Sequence, residues 1–208
     1  MPQRIVTLSL QRFDTYVIAA GHNQQRAFAL YVWNAQIGAS FHILIQAIEV
    51  ALRNRVNHAL VSEFGADWWD DATFLATIDR NRVADLDAVK RRLANKGMAL
   101  ETNQIVASLS FGFWVGMLHS SYNPPIWSKH FRSTFTNVPK GVNRYILFTG
   151  CGKIASFRNR VSHHEPLIKH NISQEYSDMF QMLDWLCPDT SVWIRKNCTV
   201  QSVMRQKP

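Results

Sequence analysis

Apolar residues recur along this chain at intervals of three and four, the period of a helix that buries one face, and no stretch alternates as a half-buried strand would. The pattern predicts an all-α protein. A first helix is expected over residues 9–20, closed by Gly21, where glycine can adopt the left-handed backbone that ends a helix. The longest helical signal covers residues 23–64, with a bend or break expected at residues 38–40, around Gly38, and a stop at Gly65. Residues 66–81 read as an acidic, aromatic connector with a turn or two of helix at 73–78.

A charged amphipathic helix follows over residues 84–95, closed by Gly97 and carrying Lys90, Arg91 and Arg92 in its latter half, where cations complement the helix dipole. Thr102 is expected to cap an apolar helix reaching His119, broken by Asn123, Pro124 and Pro125. A short helix is expected at 127–135 and a turn at Pro139 and Gly141. The next helix, 142–163, must stop because Pro166 has no amide hydrogen and pushes Glu165 out of helical geometry. A last long helix is expected at 173–186, stopped by Pro188, then a short one capped by Asp189 or Thr190 and running to Trp193, with a frayed tail from Asn197. Trp68, Trp69, Trp114, Trp127, Trp185 and Trp193 lie at helical spacing among apolar neighbours and are expected in the core.

At 208 residues and 47% hydrophobic, the chain can bury one sizeable core, so residues 1–208 are expected to form a single domain. Its core should cover about 22–187, flanked by a short N-terminal helix and a C-terminal extension. The formal charge of +8 favours partners that carry phosphate. Cys151, Cys187 and Cys198 are odd in number and have no metal-finger spacing, as suits a reducing cytoplasm. Arg4, Arg12 and Asp14 around a mild apolar stretch argue against an export signal. The most apolar long segment is interrupted by His42, Gln46 and Glu49, so no membrane association is expected.

The most chemically suggestive string is RNRVSHHEP, residues 158–166, in which four residues separate Arg158 from His163 at a helix end. A guanidinium is always charged and grips phosphate in a fork, whereas an imidazole titrates near neutrality and can pass a proton either way. On a regular helix five residues turn ~500°, leaving these two side chains about 140° apart. Asn159 and His163, at i and i+4, do share a face. Either the arginine reaches around with its long stem, or the last turn distorts, or, as we favour, two such helix ends meet across a two-fold axis and surround one phosphate with two arginines and two histidines. One His163 would then take the ribose 2′-OH proton and the other would protonate the departing 5′ oxygen, with Arg158 steadying the phosphorane. This chemistry needs no metal or other cofactor, and DNA would resist it. Spacing alone better fits a cationic helix end that is simply solvated or paired with Glu165.

RNRVNH at residues 53–58 nearly repeats the string, but its flanks are unrelated to those of Arg158, which argues against duplicated halves. HHEPLIKH at 163–170 is no zinc-protease helix: Ile168 stands where the second histidine is needed and Pro166 interrupts the helix. His22, His42, His119, His130 and His170 are scattered and suggest surface or hydrogen-bonded side chains. Lys90, Arg91 and Arg92, together with Arg160, are candidates for contacts with an RNA backbone.

RNRVSHHEPL, taken with IEVALRN at 48–54, YVWN at 31–34 and SFGFWVGML at 110–118, resembles the Abi-like family of abortive-infection proteins. The similar stretches run from about Tyr31 to Leu167 and keep the same order. That family belongs to the HEPN superfamily, whose all-α members include metal-independent RNases with an arginine, four to six residues and then a histidine. The resemblance implies a HEPN-like helical bundle with additional helices. It gives Arg158 and His163 catalytic roles, Asn159 the positioning of phosphate or histidine, and His164 a helping part. Glu49, Arg53 and Asn54 become supporting residues, and Glu49 and Arg53 are spaced to pair on one helix face. The expected activity is endoribonuclease cleavage by 2′-OH attack, as a toxin-like effector in phage defence. The expected form is a homodimer acting on RNA, held in check by an antitoxin or nucleotidyltransferase partner in some relatives. The alternative is a catalytically silent RNA-binding or protein-interaction module of the same fold.

Overall fold

The computed structural model describes residues 7–208, so the expectation drawn from Arg4 lies outside the described residues. Among the described residues there are eleven α-helices and no strand, as the apolar periodicity predicts. Helix α1 (Leu10–Ala19) ends at Gly21, whose φ of 62° is left-handed. Helix α2 (Gln24–Phe64) starts where the Asn23 side chain accepts from the Arg26 N–H at 2.9 Å, and stops at Gly65.

No break interrupts α2 at Gly38, contrary to expectation. The helix packs there against the end of the Arg158 helix and the chain after it: a Cβ on Gly38 would stand in ordinary contact, 3.7 Å from Val161 Cγ1 and 3.8 Å from Leu167 Cδ1. By length and composition α2 could cross a membrane, with a mean hydropathy of 1.4 over its most apolar window. Its buried stripe, from Leu30 through Ile37, Phe41, Ile48 and Leu52 to Leu60, packs against this protein's other helices.

Helix α3 (Ala72–Thr77) occupies the acidic connector, after a single 3-10 turn at Trp68–Asp70. Helix α4 (Arg80–Asn95) begins four residues earlier than its apolar pattern suggests, because Asp79 caps it by accepting from the N–H groups of Asn81 and Arg82. The apolar stretch from Thr102 divides into α5 (Thr102–Ser108) and α6 (Phe111–Gly116). Ser110 causes the division, since its hydroxyl accepts from the Phe113 N–H at 3.1 Å and opens a new helix. Thr102 is not a cap; its hydroxyl accepts from Trp69 Nε1 at 2.9 Å and stays close to Ala66 and Asp67. Pro124 and Pro125 sit within a π-helical turn, Asn123–Trp127, that leads into α7 (Ser128–Thr134).

Helices α8 (Arg144–Ser162) and α9 (Ile172–Leu186) pack beside α2, and α6 lies on α8. Helix α10 (Pro188–Asn197) folds back from α9. The tail is not frayed: α11 (Val200–Met204) buries Val200 and returns to α2, where Trp33 Nε1 donates to the Val203 carbonyl at 2.9 Å. Four of the six tryptophans expected in the core are buried, but Trp185 is only partly covered and Trp193 is 62% exposed. A satellite cluster around Phe13, Tyr16, Ala27 and Leu30 fixes α1 on the start of α2.

Candidate functional site at the end of helix α8

The C-terminal end of α8 closes in a complete Schellman motif. The Glu165 N–H donates to the Arg160 carbonyl at 2.9 Å and the His164 N–H to the Val161 carbonyl at 3.1 Å. His164 occupies the position that glycine usually fills, with a φ of 56°. Such a backbone costs a residue with a Cβ about 1–2 kcal/mol and persists only where the surroundings impose it. The imposing contacts come from α2. Asn34, 7% exposed, accepts from the Leu167 N–H at 2.6 Å and donates to the Glu165 carbonyl at 3.3 Å, clamping the turn from beneath. An ion pair at 2.7 Å between Arg160 and Glu165 closes the turn from above. Arg160 and Glu165 thus satisfy each other, and Glu165 does not neutralise Arg158.

Arg158 is held from the side by α2, its Nε donating to Glu49 Oε1 at 2.9 Å. Its Nη1 donates to Asn159 Oδ1 at 3.3 Å, which leaves Nη2 without an acceptor among the described residues. The Glu49–Arg53 pair expected from i, i+4 spacing does not form: Glu49 reaches across to α8, while Arg53 Nε donates to Asn54 Oδ1 at 3.3 Å. Two of the guanidinium's three nitrogens are therefore oriented by fixed acceptors, and the third is available to a phosphate. The Arg158 side chain is 40% exposed, so the pair contributes direction rather than much stability.

Arg158 and Glu49 line a depression of about 180 Å³ together with His42, Val161 and Ser162. His42, Val161 and Ser162 also line a larger cavity of about 520 Å³, which extends past Asn34 and His164 to Tyr16 and Tyr31. The two cavities make one groove along α2 and the end of α8. His163 caps the helix, is exposed and lines neither cavity. Among the described residues, neither the His163 nor the His164 imidazole has a hydrogen-bond partner. The fold thus brings Arg158, Asn159 and Glu49 together, sets His164 over the adjoining cavity, and turns His163 to the outside.

Lys90 and Arg92 belong to a different part of the molecule. Lys90 pairs with Asp70 at 2.7 Å above the Trp69 ring, and Arg92 donates to the Ser108 carbonyl at 2.8 Å. Arg91 is exposed on the same helix, whose main packing is against α5. Sequence reasoning missed Asn34 and His42. Their signal is the small and polar stripe Asn34, Gly38, His42, Gln46, which runs at four-residue intervals through an otherwise apolar helix.

The fold and site together define an all-α protein whose longest helix clamps the end of a second, presenting a fixed arginine and two unpartnered histidines to solvent. A family model described as Abi-like protein matches residues 5–169, and the chain belongs to that family. No curated protein and no solved structure matches it.

Proposed function

We propose that this protein is a metal-independent endoribonuclease of the HEPN type, acting in the cytoplasm as a toxin-like effector of abortive infection. The observation that carries the reading is the state of Arg158. Its guanidinium is oriented through Nε and Nη1 by Glu49 and Asn159, with Nη2 free, on the helix whose end carries His163 and His164. Family membership supports the defence role.

In the reaction, a histidine accepts the proton of a ribose 2′-OH as that oxygen bonds to the adjacent phosphorus. The P–O5′ bond breaks, a second imidazole protonates the leaving oxygen, and Arg158 Nη2 balances the added charge on the phosphorane. The products are a 2′,3′-cyclic phosphate and a 5′-hydroxyl. Because His163 faces away from the Arg158 depression, one chain does not assemble the pair, and a homodimer joining two α8 ends completes the site. RNA is the partner that the net charge of +8 favours, and an antitoxin or nucleotidyltransferase would restrain the activity.

The test is incubation of the purified protein with total RNA in EDTA, followed by analysis of the product ends. Cleavage leaving cyclic phosphates, lost in both His163→Ala and Arg158→Ala, is the expected result. Intact RNA with the unmodified protein, or cleavage that survives both substitutions, overturns the reading in favour of a silent binding module.

A further inference from the structure

The RNRVNH string at 53–58 forms no helix end. It lies inside α2, where Asn54, Arg55 and His58 form one wall of a separate cavity of about 520 Å³. The opposite wall is the elbow at which α9 ends and α10 begins, with Cys187, Thr190 and the exposed Trp193. The volume falls among those of small-molecule pockets. Its shape is long: it follows α2 from Ile43 to His58, a rise of about 22 Å. Its polarity is graded along that length, since Ile43, Ala47, Val50 and Ala51, with the single amide of Gln46 among them, line one end and Asn54, Arg55 and His58 the other.

The polar end carries an uncompensated cation. Arg55 Nε donates to the Leu186 carbonyl at 3.1 Å and Nη1 to the Thr134 carbonyl at 3.4 Å, which fixes the guanidinium without neutralising it. Among the described residues, no carboxylate pairs with Arg55, and its Nη2 has no acceptor. The first turn of α10 adds the positive end of a helix dipole beside it, offset in part by Asp189 in the same turn.

We propose that this cavity binds a linear amphipathic carboxylate of medium chain length. The carboxylate sits at Arg55, Asn54 and His58, and the hydrocarbon lies along Ala47 and Ile43. The match is one of charge and shape: a single fixed cation at one end of an elongated, mainly apolar channel. The proposal is independent of the nuclease reading.

Cys187 supplies a direct readout. It stands in the cavity wall with its sulfur 3.0 Å from the Thr190 hydroxyl, and that hydrogen bond, helped by the Thr190 N–H and Arg55, lowers its thiol below the usual cysteine value. Burial pushes Cys151 up to about 12 and raises Cys198, so iodoacetamide modifies Cys187 first. The experiment adds decanoate to the full chain and follows Cys187 alkylation by peptide mass spectrometry, alongside the thermal midpoint.

Decanoate at about ten times its dissociation constant should slow the alkylation about tenfold and raise the midpoint. Methyl decanoate, which lacks the charge, should bind about tenfold more weakly. Ala47→Phe, which fills the apolar end, should remove both effects while keeping the unliganded alkylation rate and far-UV spectrum. No protection by decanoate, equal protection by the ester, or protection that persists in Ala47→Phe overturns the proposal. Alkylation that slows with protein concentration alone, together with self-association, overturns it in favour of a second copy of the chain.

Discussion

At the scale of single residues, the site depends on which acceptor a guanidinium finds. Glu49 could have paired along its own helix with Arg53, but it reaches Arg158 instead, and this turns a surface cation into an oriented one. A half-exposed pair of this kind contributes about 0–1 kcal/mol to folding, so its consequence should be seen in catalysis. Glu49→Gln keeps the volume and removes the charge that holds Nε. Initial cleavage rates should fall about tenfold, the equivalent of one charge-assisted hydrogen bond, while urea denaturation shifts by less than about 1 kcal/mol. An unchanged rate would mean that Arg158 needs no support from α2. The pair was hidden in the sequence because 109 positions separate its members, whereas i, i+4 spacing advertised a neighbour that the fold does not use.

At the scale of elements, legibility followed the range of the forces involved. Gly21, Gly65 and Gly97 were readable as stops because a left-handed backbone is a local requirement, and all three have positive φ. The early start of α4 and the division at Ser110 depend on side-chain caps that compete with the apolar period, which the periodic pattern alone does not weigh. The docking of α11 was unreadable because Trp33 and Val203 meet only after the chain has folded. Asn34 belongs to the same class: its motif was visible, its clamp on the end of α8 was not. Long-range ties also set the response to acid. Glu63 of α2 binds Lys129 at 2.5 Å and His130 at 2.7 Å on α7, and those hydrogen bonds hold its carboxyl below the usual value. Tyr122 at 2.6 Å, with the amides of α4, does the same for Asp79. A carboxylate whose folded value is depressed stabilises above its unfolded value, near 4, and loses that contribution as pH falls through the folded value. Glu175, raised by burial, acts with the opposite sign. Thermal midpoints should therefore fall below about pH 4, and Glu63→Gln should be less stable at neutral pH with a shallower acid limb. Parallel acid limbs would separate Glu63 from the effect.

At the scale of the whole molecule, the decisive fact is that one chain presents arginine and histidine in different directions. Arg158 is turned toward α2 and lines the groove, whereas His163 caps α8 outside it, as the offset of about 140° in a regular helix requires. A symmetric pair of helix ends resolves the mismatch, because a two-fold axis brings the outward histidine of one protomer to the groove side of the other. Mixed dimers test this directly. Arg158→Ala and His163→Ala chains, each inactive alone, are co-expressed with different tags, and the heterodimer is isolated by tandem affinity. In a heterodimer, the shared site keeps the intact Arg158 of one chain and the intact His163 of its partner, one of each where the unmodified pair has two. Cleavage should therefore return to a measurable fraction of the unmodified rate. If Arg158 and His163 acted within a single chain, every site in the heterodimer would lack one of them and no activity would return. The same sample measured below the concentration at which it dissociates should fall silent, since the composite site exists only in the assembled pair.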